Sequence, residues 1–506
     1  MRVRVTAGLV LRVWLVLLAA AAVASANDLR LLEAVRNQDR EAVRALLDQH
    51  VDVNAPQGDG ATALHWAAHR DDIETAYLLM RAGANVNAAN DLGVTPLALA
   101  CANGSAAMVE KLLAAGANPN AVASGEPALM TAARTGSVGA VKALLARGAD
   151  VNAKDAVRGQ TALMWAVAHN HAEVARMLVE KGAQIHARSS VSQQMVSLAN
   201  RYGAVRSRAR GLAEHTVVAV EQGGSTAMLF AARNGSLDAA RVLVAARANV
   251  NDEASDGTSA LVTAAHSGHG ALATFLLEHG ANPNLAGSGY TALHAAVLRG
   301  DLGLVKALLA HGANPSAHVM KGTPVRRFSK DFALNAAWIG ATPFWLATRF
   351  GEIEIMRALA AAGADAVSPT ADGTTPLMAI ASAGIDSGQS ASDRRERRLD
   401  PLELAATRAR HDEDVRHVLE VAALAVSLGG DVKAANKAGD TALHRAAAKG
   451  STKLVEFLVE RGARLDVENK RGQTPLAIAS RSGAARSSGT GTKALVRKLA
   501  PKSDSQ

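Results

Sequence analysis

A short motif returns along this chain at a nearly constant interval, and this interval restricts the possible folds more than any other feature. Wherever nothing is inserted, successive copies lie 32 to 34 residues apart. Repeats of this length are single supersecondary units that bury their apolar faces by stacking on neighbours. Each copy begins with a glycine that opens a Gly-x-Thr turn or a close variant: Gly60, Gly93, Gly125, Gly159, Gly224, Gly257, Gly289, Gly340, Gly373, Gly439 and Gly472. The sequence therefore predicts an all-α solenoid.

The segment 289–317, GYTALHAAVLRGDLGLVKALLAHGANPSA, illustrates how one copy folds. Thr291 is a suitable N-cap for a first helix, and Gly300 allows the chain to turn after it. A second helix follows with its apolar residues on one face, and Gly312 permits the left-handed conformation that ends it. Two helices of this length cannot bury their apolar faces alone, so they must stack on the next pair.

These residues carry a resemblance to a known family. TALHWAA at 62–68, TALHAAV at 291–297 and TALHRAA at 441–447, together with endings such as GANVNA, resemble the ankyrin repeat signature. The resemblance implies an ankyrin-repeat solenoid of about eleven signature repeats after an N-terminal capping repeat. It also implies that the signature histidines, His65, His294 and His444, form structural hydrogen bonds. The family's first helices and its fingers, the turns that connect successive repeats, form a concave surface that recognises proteins.

The domain organisation follows from the repeat and its interruptions. We expect a signal peptide at 1–26, a capping repeat at 27–58, repeats at 59–186, 224–316 and 340–384, repeats with a C-terminal cap at 413–500, a disordered tail at 501–506, and insertions at 187–223, 317–339 and 385–412.

The first 26 residues differ in kind from the rest. Arg2 and Arg4 precede an uncharged apolar run at 13–23, and Ala24-Ser25-Ala26 is a small-x-small cleavage site. A membrane anchor is the alternative, but the run is shorter than the roughly 20 residues that a spanning helix needs. We therefore expect export to the periplasm or the extracellular space, with no stable membrane anchor after cleavage. Removing this segment lowers the formal net charge from +9 to +6 because it contains three arginines and no acidic residue.

The insertions admit two interpretations, a functional loop or disorder. In 187–223, Met195, Leu198 and Tyr202 have the spacing of a short amphipathic helix, while 216–220 is typical of a strand. The finger insertion at 317–339 carries Arg326 and Arg327 beside Phe328. The segment 385–412 is polar and mixed in charge, which favours a solvated segment, and the helix after it is expected to be lengthened.

The sequence contains none of the common catalytic motifs, phosphate loops or paired-cysteine metal sites. His169 with His171, and His266 with His269, lie close enough to share a metal, but two ligands do not make a site. Cys101 is interpreted as a small buried residue, with a reactive thiol as the alternative. We therefore expect no enzyme activity, cofactor or metal. An enzyme built by the finger insertions remains as an alternative.

The most informative signal is a set of two variable positions just after the first helix's Ala-Ala. Nine of the eleven repeats place Arg, Lys or His there, and none places a carboxylate. The candidate partner-binding residues are Arg70, Arg134, His169, Arg233, His266, Arg299, Arg349, Lys449 and Arg481, with Arg326 and Arg327 of the finger insertion. Such a stripe favours an acidic protein partner, although basic residues at a helix C-terminus also interact with the helix's own negative end.

The expected function is a non-catalytic, monomeric scaffold that binds another protein with an acidic surface as an adaptor, inhibitor or stabiliser. A secreted effector that acts on host proteins is the alternative. Nucleic acid is not expected as a partner, because aromatic residues suited to base stacking make up only 3% of the chain.

Overall fold

Short helices fill the described parts of the chain because each repeat carries its own start and stop signals. The side chain of Thr95 accepts a hydrogen bond from the backbone N–H of Ala98, and Pro96 occupies the first helical position. This helix is seven residues long, and Gly104 turns the chain after it with a φ of 69°. Ser105 then caps the second helix of the pair.

The computed structural model describes residues 30–197, 217–321, 336–382 and 401–483. The chain divides into two units, Met1–Ser192 with Gln222–Ser255 (unit 1) and Gln193–Glu221 with Asp256–Gln506 (unit 2).

The described part of unit 1 consists of helix pairs and one very short hairpin. Its helices are α1 (30–36), α2 (Arg40–Asp48), α3 (Ala63–His69), α4 (Ile73–Arg81), α5 (Pro96–Ala102), α6 (Ala106–Ala114), α7 (Ala128–Thr135), α8 (Val138–Ala146), α9 (Ala162–Ala168), α10 (Ala172–Glu180), α11 (Ala227–Asn234) and α12 (Leu237–Ala245). Strands β1 (Val122–Ala123) and β2 (Glu126–Pro127) pair in antiparallel fashion.

Unit 2 continues the same pattern. Its described helices are α13 (Ala260–Ser267), α14 (Gly270–Glu278), α15 (Ala292–Leu298), α16 (Leu302–Ala310), α17 (Pro343–Phe350), α18 (Ile353–Ala361), α19 (Pro376–Ala381), α20 (Pro401–Ser427), α21 (Ala442–Lys449), α22 (Thr452–Glu460) and α23 (Pro475–Gly483), with a 3-10 turn at Ala336–Trp338.

Like helices pack on like helices within each unit. In unit 1, the first helix α5 contacts α3 and α7, and the second helix α6 contacts α4 and α8. In unit 2, α15 contacts α13 and α17 in the same way. The contact residues are small or medium-sized and apolar: Ala67 and Ala68 are fully buried in α3, and Leu112 is fully buried in α6. Alanine lets neighbouring helices approach closely, so thin layers replace a single large core. The all-α solenoid prediction is confirmed.

Signature histidines connect one repeat to the next. Nδ1 of His65 accepts a hydrogen bond from the backbone N–H of Thr62 at 3.0 Å, and Nε2–H donates to the carbonyl of Val94 at 3.0 Å. Because a carbonyl can only accept, the proton is on Nε2 and the ring is neutral. His294 and His444 make the equivalent contacts, so the structural role expected for these three residues is confirmed.

Asparagine side chains form hydrogen bonds between successive fingers. The side chain of Asn87 donates to the carbonyl of Gly116 at 3.0 Å and accepts from the backbone N–H of Asn118 at 2.7 Å. Asn120 and Asn284 repeat this pattern. Ser316 takes the place of the asparagine just before the insertion at 317–339, and its hydroxyl accepts from Asp365 N–H at 2.8 Å. The ladder thus continues across the inserted sequence.

Two expectations for the insertions need correction. Met195 lies in strand β3 (Ser192–Ser197), not in a short helix, and β3 pairs with β4 (Val217–Gln222) in a two-stranded sheet. Valine-rich β4 supplies the partner, since β-branched residues favour strands. This pairing confirms a strand near 216–220. The long helix expected after the third insertion is also confirmed, but it already begins at Pro401, a residue suited to a first helical position.

Several expectations concern residues outside the described ranges. The signal peptide at 1–26, Arg326 and Arg327, and the tail at 501–506 belong to this group. Leu198 and Tyr202 of the first insertion also lie there. Among the described residues, no helix is both long and apolar enough to cross a membrane.

Candidate protein-binding surface

The structure places the predicted basic residues at the ends of the first helices. Each of the eight from Arg70 to Lys449 is one of the last two residues of its helix or the residue directly after it, and Arg481 is third from the end of its helix. Arg70, His169, Arg233 and Lys449 are exposed, whereas Arg134, His266, Arg299 and Arg349 are half-buried. Arg481 lies in α23, and Arg326 and Arg327 lie outside the described residues. The positions are thus equivalent in each repeat, but the environments of the side chains are not.

Arg299 shows why half of these residues are withdrawn from solvent. Its Nε–H donates to the backbone carbonyl of His266 at 2.7 Å, at the end of helix α13 of the preceding repeat. The last carbonyls of a helix have no partner within it and carry its negative end, so a cation there is stabilising. Asn103 does the same in unit 1, where its side chain donates to the carbonyls of Ala68 and His69 at 3.0 and 2.9 Å. One role of these positions is therefore to cap the preceding repeat.

Arg134, Trp165, His169 and His171 form a contiguous cluster, here called the Arg-Trp-His cluster. The Arg134 guanidinium lies 5.8 Å from the centroid of the Trp165 ring. His169 stacks on the same indole, with centroids 5.7 Å apart and planes 12° apart, and His171 stacks on His169 at 6.0 Å. A half-exposed tryptophan between a cation and a histidine is typical of residues that dominate protein interfaces.

Hydrogen bonds fix the base of this cluster. Nε2–H of His171 donates to the carbonyl of Arg134 at 3.1 Å, which joins two repeats. Glu126 lies 3.6 Å from the Arg134 guanidinium and also accepts from the Thr131 hydroxyl at 2.8 Å. In contrast, the indole Nε1 of Trp165 is buried without a hydrogen-bond partner.

The electrostatics of the cluster keep His169 neutral to lower pH than usual. Partial burial lowers the pKa of His169, and the nearby His171 and Arg134 lower it further. A negative group placed beside the ring would favour the protonated form and raise this pKa again.

Aromatic residues accompany the cations at two further repeats of unit 1. Arg36 lies 4.8 Å from the Trp66 ring, and His69 meets the same ring edge-on at 5.9 Å. The Arg233 guanidinium lies 5.8 Å from the Phe230 ring. These rings occupy the variable position after the signature histidine, as in TALHW. The sequence therefore indicated where aromatic residues would accompany the cations, although the charge pattern alone did not reveal it.

Unit 2 has a different set of neighbours around its candidate residues. The rings of His266 and Tyr290 lie 6.2 Å apart. Phe350, which follows Arg349, is 43% exposed and meets Trp338 edge-on at 5.7 Å. Arg445, which sequence reasoning did not select, donates to the hydroxyls of Ser382 and Thr374. These hydrogen bonds join Arg445 to the preceding repeat, so its role is structural.

The described residues offer little that could perform chemistry. They include no group of three or more His, Cys, Asp or Glu residues that could hold a metal ion. Cys101 is fully buried, and burial raises the pKa of its thiol to about 12, so the interpretation as a packing residue is confirmed.

Curated sequences and solved structures both include proteins that are similar to parts of this chain. The curated relatives with the most similar sequences include potassium channel AKT1 from Oryza sativa subsp. indica and from Oryza sativa subsp. japonica, each 43% identical over 58 residues. This match covers 12% of the chain and only 6% of the channels' length. Among solved structures, the human ASB11 ankyrin repeat domain is 24% identical with a TM-score of 0.40, and the match covers 50% of this chain and 98% of that one.

The family assignment comes from the longest match. The sequence model described as "Ankyrin repeats (3 copies)" matches residues 31–123, 118–189, 228–319 and 400–498, which is more than half of the chain. The gaps between matches include the insertion that holds strands β3 and β4. With the repeat period, the capped helix pairs and the histidine links all present, the chain belongs to the ankyrin repeat family.

Proposed function

We propose that this protein is an exported, non-catalytic scaffold that binds an acidic protein partner through the first-helix ends of its repeats. Ankyrin repeats are interaction modules, and the proposal adds the compartment, the charge of the partner and the residues involved. The scaffold acts as an adaptor, inhibitor or stabiliser of its partner, as a single copy of the chain.

The observation that carries the proposal is the Arg-Trp-His cluster. Interfaces concentrate their binding energy in a few tryptophan, tyrosine and arginine residues that are surrounded by weaker contacts. Arg134 supplies a positive charge, to which His169 adds another when it is protonated, and Trp165 supplies a rigid apolar surface. The exposed Arg70 and Arg233 extend the positive charge to other repeats of unit 1.

Export rests on the sequence of residues 1–26, with its basic start, apolar run and cleavage site. The periplasm or the extracellular space follows as the place of action. A secreted effector that binds host proteins is the second form of this proposal, and it differs only in where the partner is found.

The test is affinity capture with the mature protein as bait, from the producing cell's envelope and medium and from host extracts, at low and at high salt. The critical variant is Arg70→Glu combined with Arg134→Glu and Lys449→Glu, which avoids the capping residue Arg299. Lys142→Glu, Arg176→Glu and Lys306→Glu form the matched control, because these exposed cations lie on second helices.

We expect one saturable protein partner that is lost at high salt and with the first variant, but is retained by the control. Circular dichroism should show the same helix content for all three proteins. Equal capture by the two triple variants would refute the basic surface, and a partner found only in host extracts would identify the effector.

A further inference from the structure

Glu126 places a carboxylate inside the surface proposed to bind an acidic partner. It fills the middle position of its Gly-x-Thr-like turn, where the other repeats of unit 1 carry Ala61, Val94, Gln160 and Ser225. Its Oε1 lies 3.6 Å from Nη2 of Arg134, the arginine of the Arg-Trp-His cluster. This cation therefore already has a carboxylate beside it.

The surroundings of Glu126 hold its carboxylate at the cluster. Its backbone belongs to strand β2, where it pairs with Ala123 of β1. The hydroxyl of Thr131 donates to Oε1 of Glu126 at 2.8 Å. The oxygen that approaches Arg134 is thus the one that Thr131 binds, and Glu126 cannot turn away without losing this hydrogen bond.

The contact between Glu126 and Arg134 is a weak ion pair. Strong hydrogen bonds between a guanidinium and a carboxylate are about 2.7–2.9 Å long, which is shorter than the 3.6 Å found here. The side chains of Arg134 and Glu126 are 39% and 31% exposed, and pairs in contact with water contribute little to stability. Arg134 can therefore bind a second carboxylate at little cost to the fold.

A partner carboxylate at Arg134 meets Glu126 at short range. A guanidinium has five N–H donors and binds a carboxylate best through two of them. Two carboxylates at one guanidinium lie close together, and like charges at such a distance repel each other. The partner must either bear this repulsion or displace Glu126 from Thr131. Both routes lower its affinity.

Positioning of Arg134 is the alternative role for Glu126, but other contacts already place this arginine. Its carbonyl accepts from Nε2–H of His171 at 3.1 Å, and its guanidinium lies 5.8 Å from the centroid of the Trp165 ring. Helix α7, which carries Arg134, also packs directly on α9. None of these contacts involves Glu126.

We propose that Glu126 competes with the acidic partner for Arg134 and thereby limits how tightly the Arg-Trp-His cluster binds. This inference rests on the proposed function and adds a residue that determines its selectivity. A surface with few carboxylates does not overcome the charge of Glu126, so this residue selects strongly acidic partners.

A charge-removing substitution tests the competition, with a fluorescein-labelled octaglutamate peptide as the probe and fluorescence anisotropy of the full chain at low salt as the measurement. Glu126→Gln removes the charge and keeps an acceptor for Thr131. We expect about two- to fivefold tighter binding, the range that an exposed ion pair supplies. Glu173→Gln is the matched control, because it makes the same charge change at an exposed position of helix α10, and it should leave the affinity nearly unchanged.

A double-mutant cycle tests whether the gain depends on Arg134. Glu126→Gln is repeated in a chain that carries Arg134→Gln, and its gain should there fall to that of Glu173→Gln, because no guanidinium is left to compete for. Circular dichroism should show the same helix content for every variant.

Weaker binding by Glu126→Gln would assign it the positioning role and overturn the inference. Unchanged binding, an equal gain with and without Arg134, or no binding of octaglutamate by either the wild type or Glu126→Gln would overturn it as well. The captured partner is measured separately against Glu126→Gln and against the Arg70, Arg134 and Lys449 triple variant. Loss with the triple variant but no gain with Glu126→Gln would refute the competition and leave the proposed function intact. Capture that neither protein alters would refute both.

Discussion

Protonation of one buried histidine should make unit 2 sensitive to acid. His294 is fully buried, its Nδ1 accepts from the backbone N–H of Thr291, and its Nε2–H donates to the carbonyl of Ala317 at 3.1 Å. Burial lowers the pKa of His294 to about 4, from an ordinary value near 6.5. The folded protein therefore holds this ring neutral at pH values where the unfolded chain protonates it.

The direction and the size of the change in unfolding free energy follow from the difference in bound protons between the folded and unfolded states. Between about pH 6.5 and pH 4 the unfolded state binds more protons than the folded state, so the free energy of unfolding falls as the pH falls. The full contribution of the neutral ring is present above about pH 6.5. With about 1.4 kcal/mol for each pH unit between the two pKa values, the loss approaches 3 kcal/mol at about pH 4, or roughly a hundredfold in the opening equilibrium.

Hydrogen exchange of helices α15 and α16 measures this loss locally, which is necessary because repeat proteins do not unfold as a single unit. The comparison variant is His294→Gln, whose amide can accept from Thr291 and donate to Ala317 but does not titrate. After correction for the intrinsic exchange rate, acid should reduce the protection of the wild type about a hundredfold more than that of the variant. His186→Gln, a change at an exposed histidine, should behave like the wild type.

The reasoning would be wrong if wild type and His294→Gln lost protection in parallel between neutral and acidic pH. If His294→Gln already lacks protection at neutral pH, the wild type is compared with His186→Gln instead. The protection of α15 must then fall with acid in both of these proteins. Protection that is flat with pH in both proteins would equally contradict the argument.

Two further predictions concern unit 1. The affinity for the acidic partner should rise as the pH falls below about 6.5, because protonation of His169 adds a positive charge while the partner's carboxylates stay ionised. The nearby Arg134 and His171 oppose this protonation, and His169→Gln should reduce the rise in a titration of affinity against pH. Cys101 should react with a thiol reagent far more slowly in the folded protein than in denaturant, since burial raises its pKa to about 12, and fast labelling of the native protein would contradict its burial.

The repeat could be predicted because its signals are local. Thr291, Gly300 and Gly312 each specify a backbone conformation within a few residues, and the structure has the cap at Thr291 and a positive φ at both glycines. The same holds for the position of the basic residues, since the signature fixes where each first helix ends. Local chemistry was therefore sufficient for the fold.

Features that depend on a neighbouring repeat were harder to predict. Strand β3 forms at Met195 because β4 is available to pair with it, and β4 is separated from it by residues 198–216. The position of Arg134 beside Trp165 depends on the packing of helix α7 against helix α9 of the next repeat.

The basic residues at the first-helix ends both cap the preceding repeat and present positive charge to a partner, so their number overestimates the charge that a partner meets. Arg299 and Asn103 occupy equivalent positions and both donate to carbonyls at the end of the preceding first helix, so the positive charge of Arg299 is partly used inside the protein. Arg299→Glu would place a carboxylate near the carbonyl of His266 and destabilise the repeat whether or not a partner is bound. Exposed Arg70 and Lys449 have no such conflict among their described contacts. A partner therefore meets less positive charge than the number of basic residues suggests, and the exposed members of the set should dominate both the salt dependence and the rate of association.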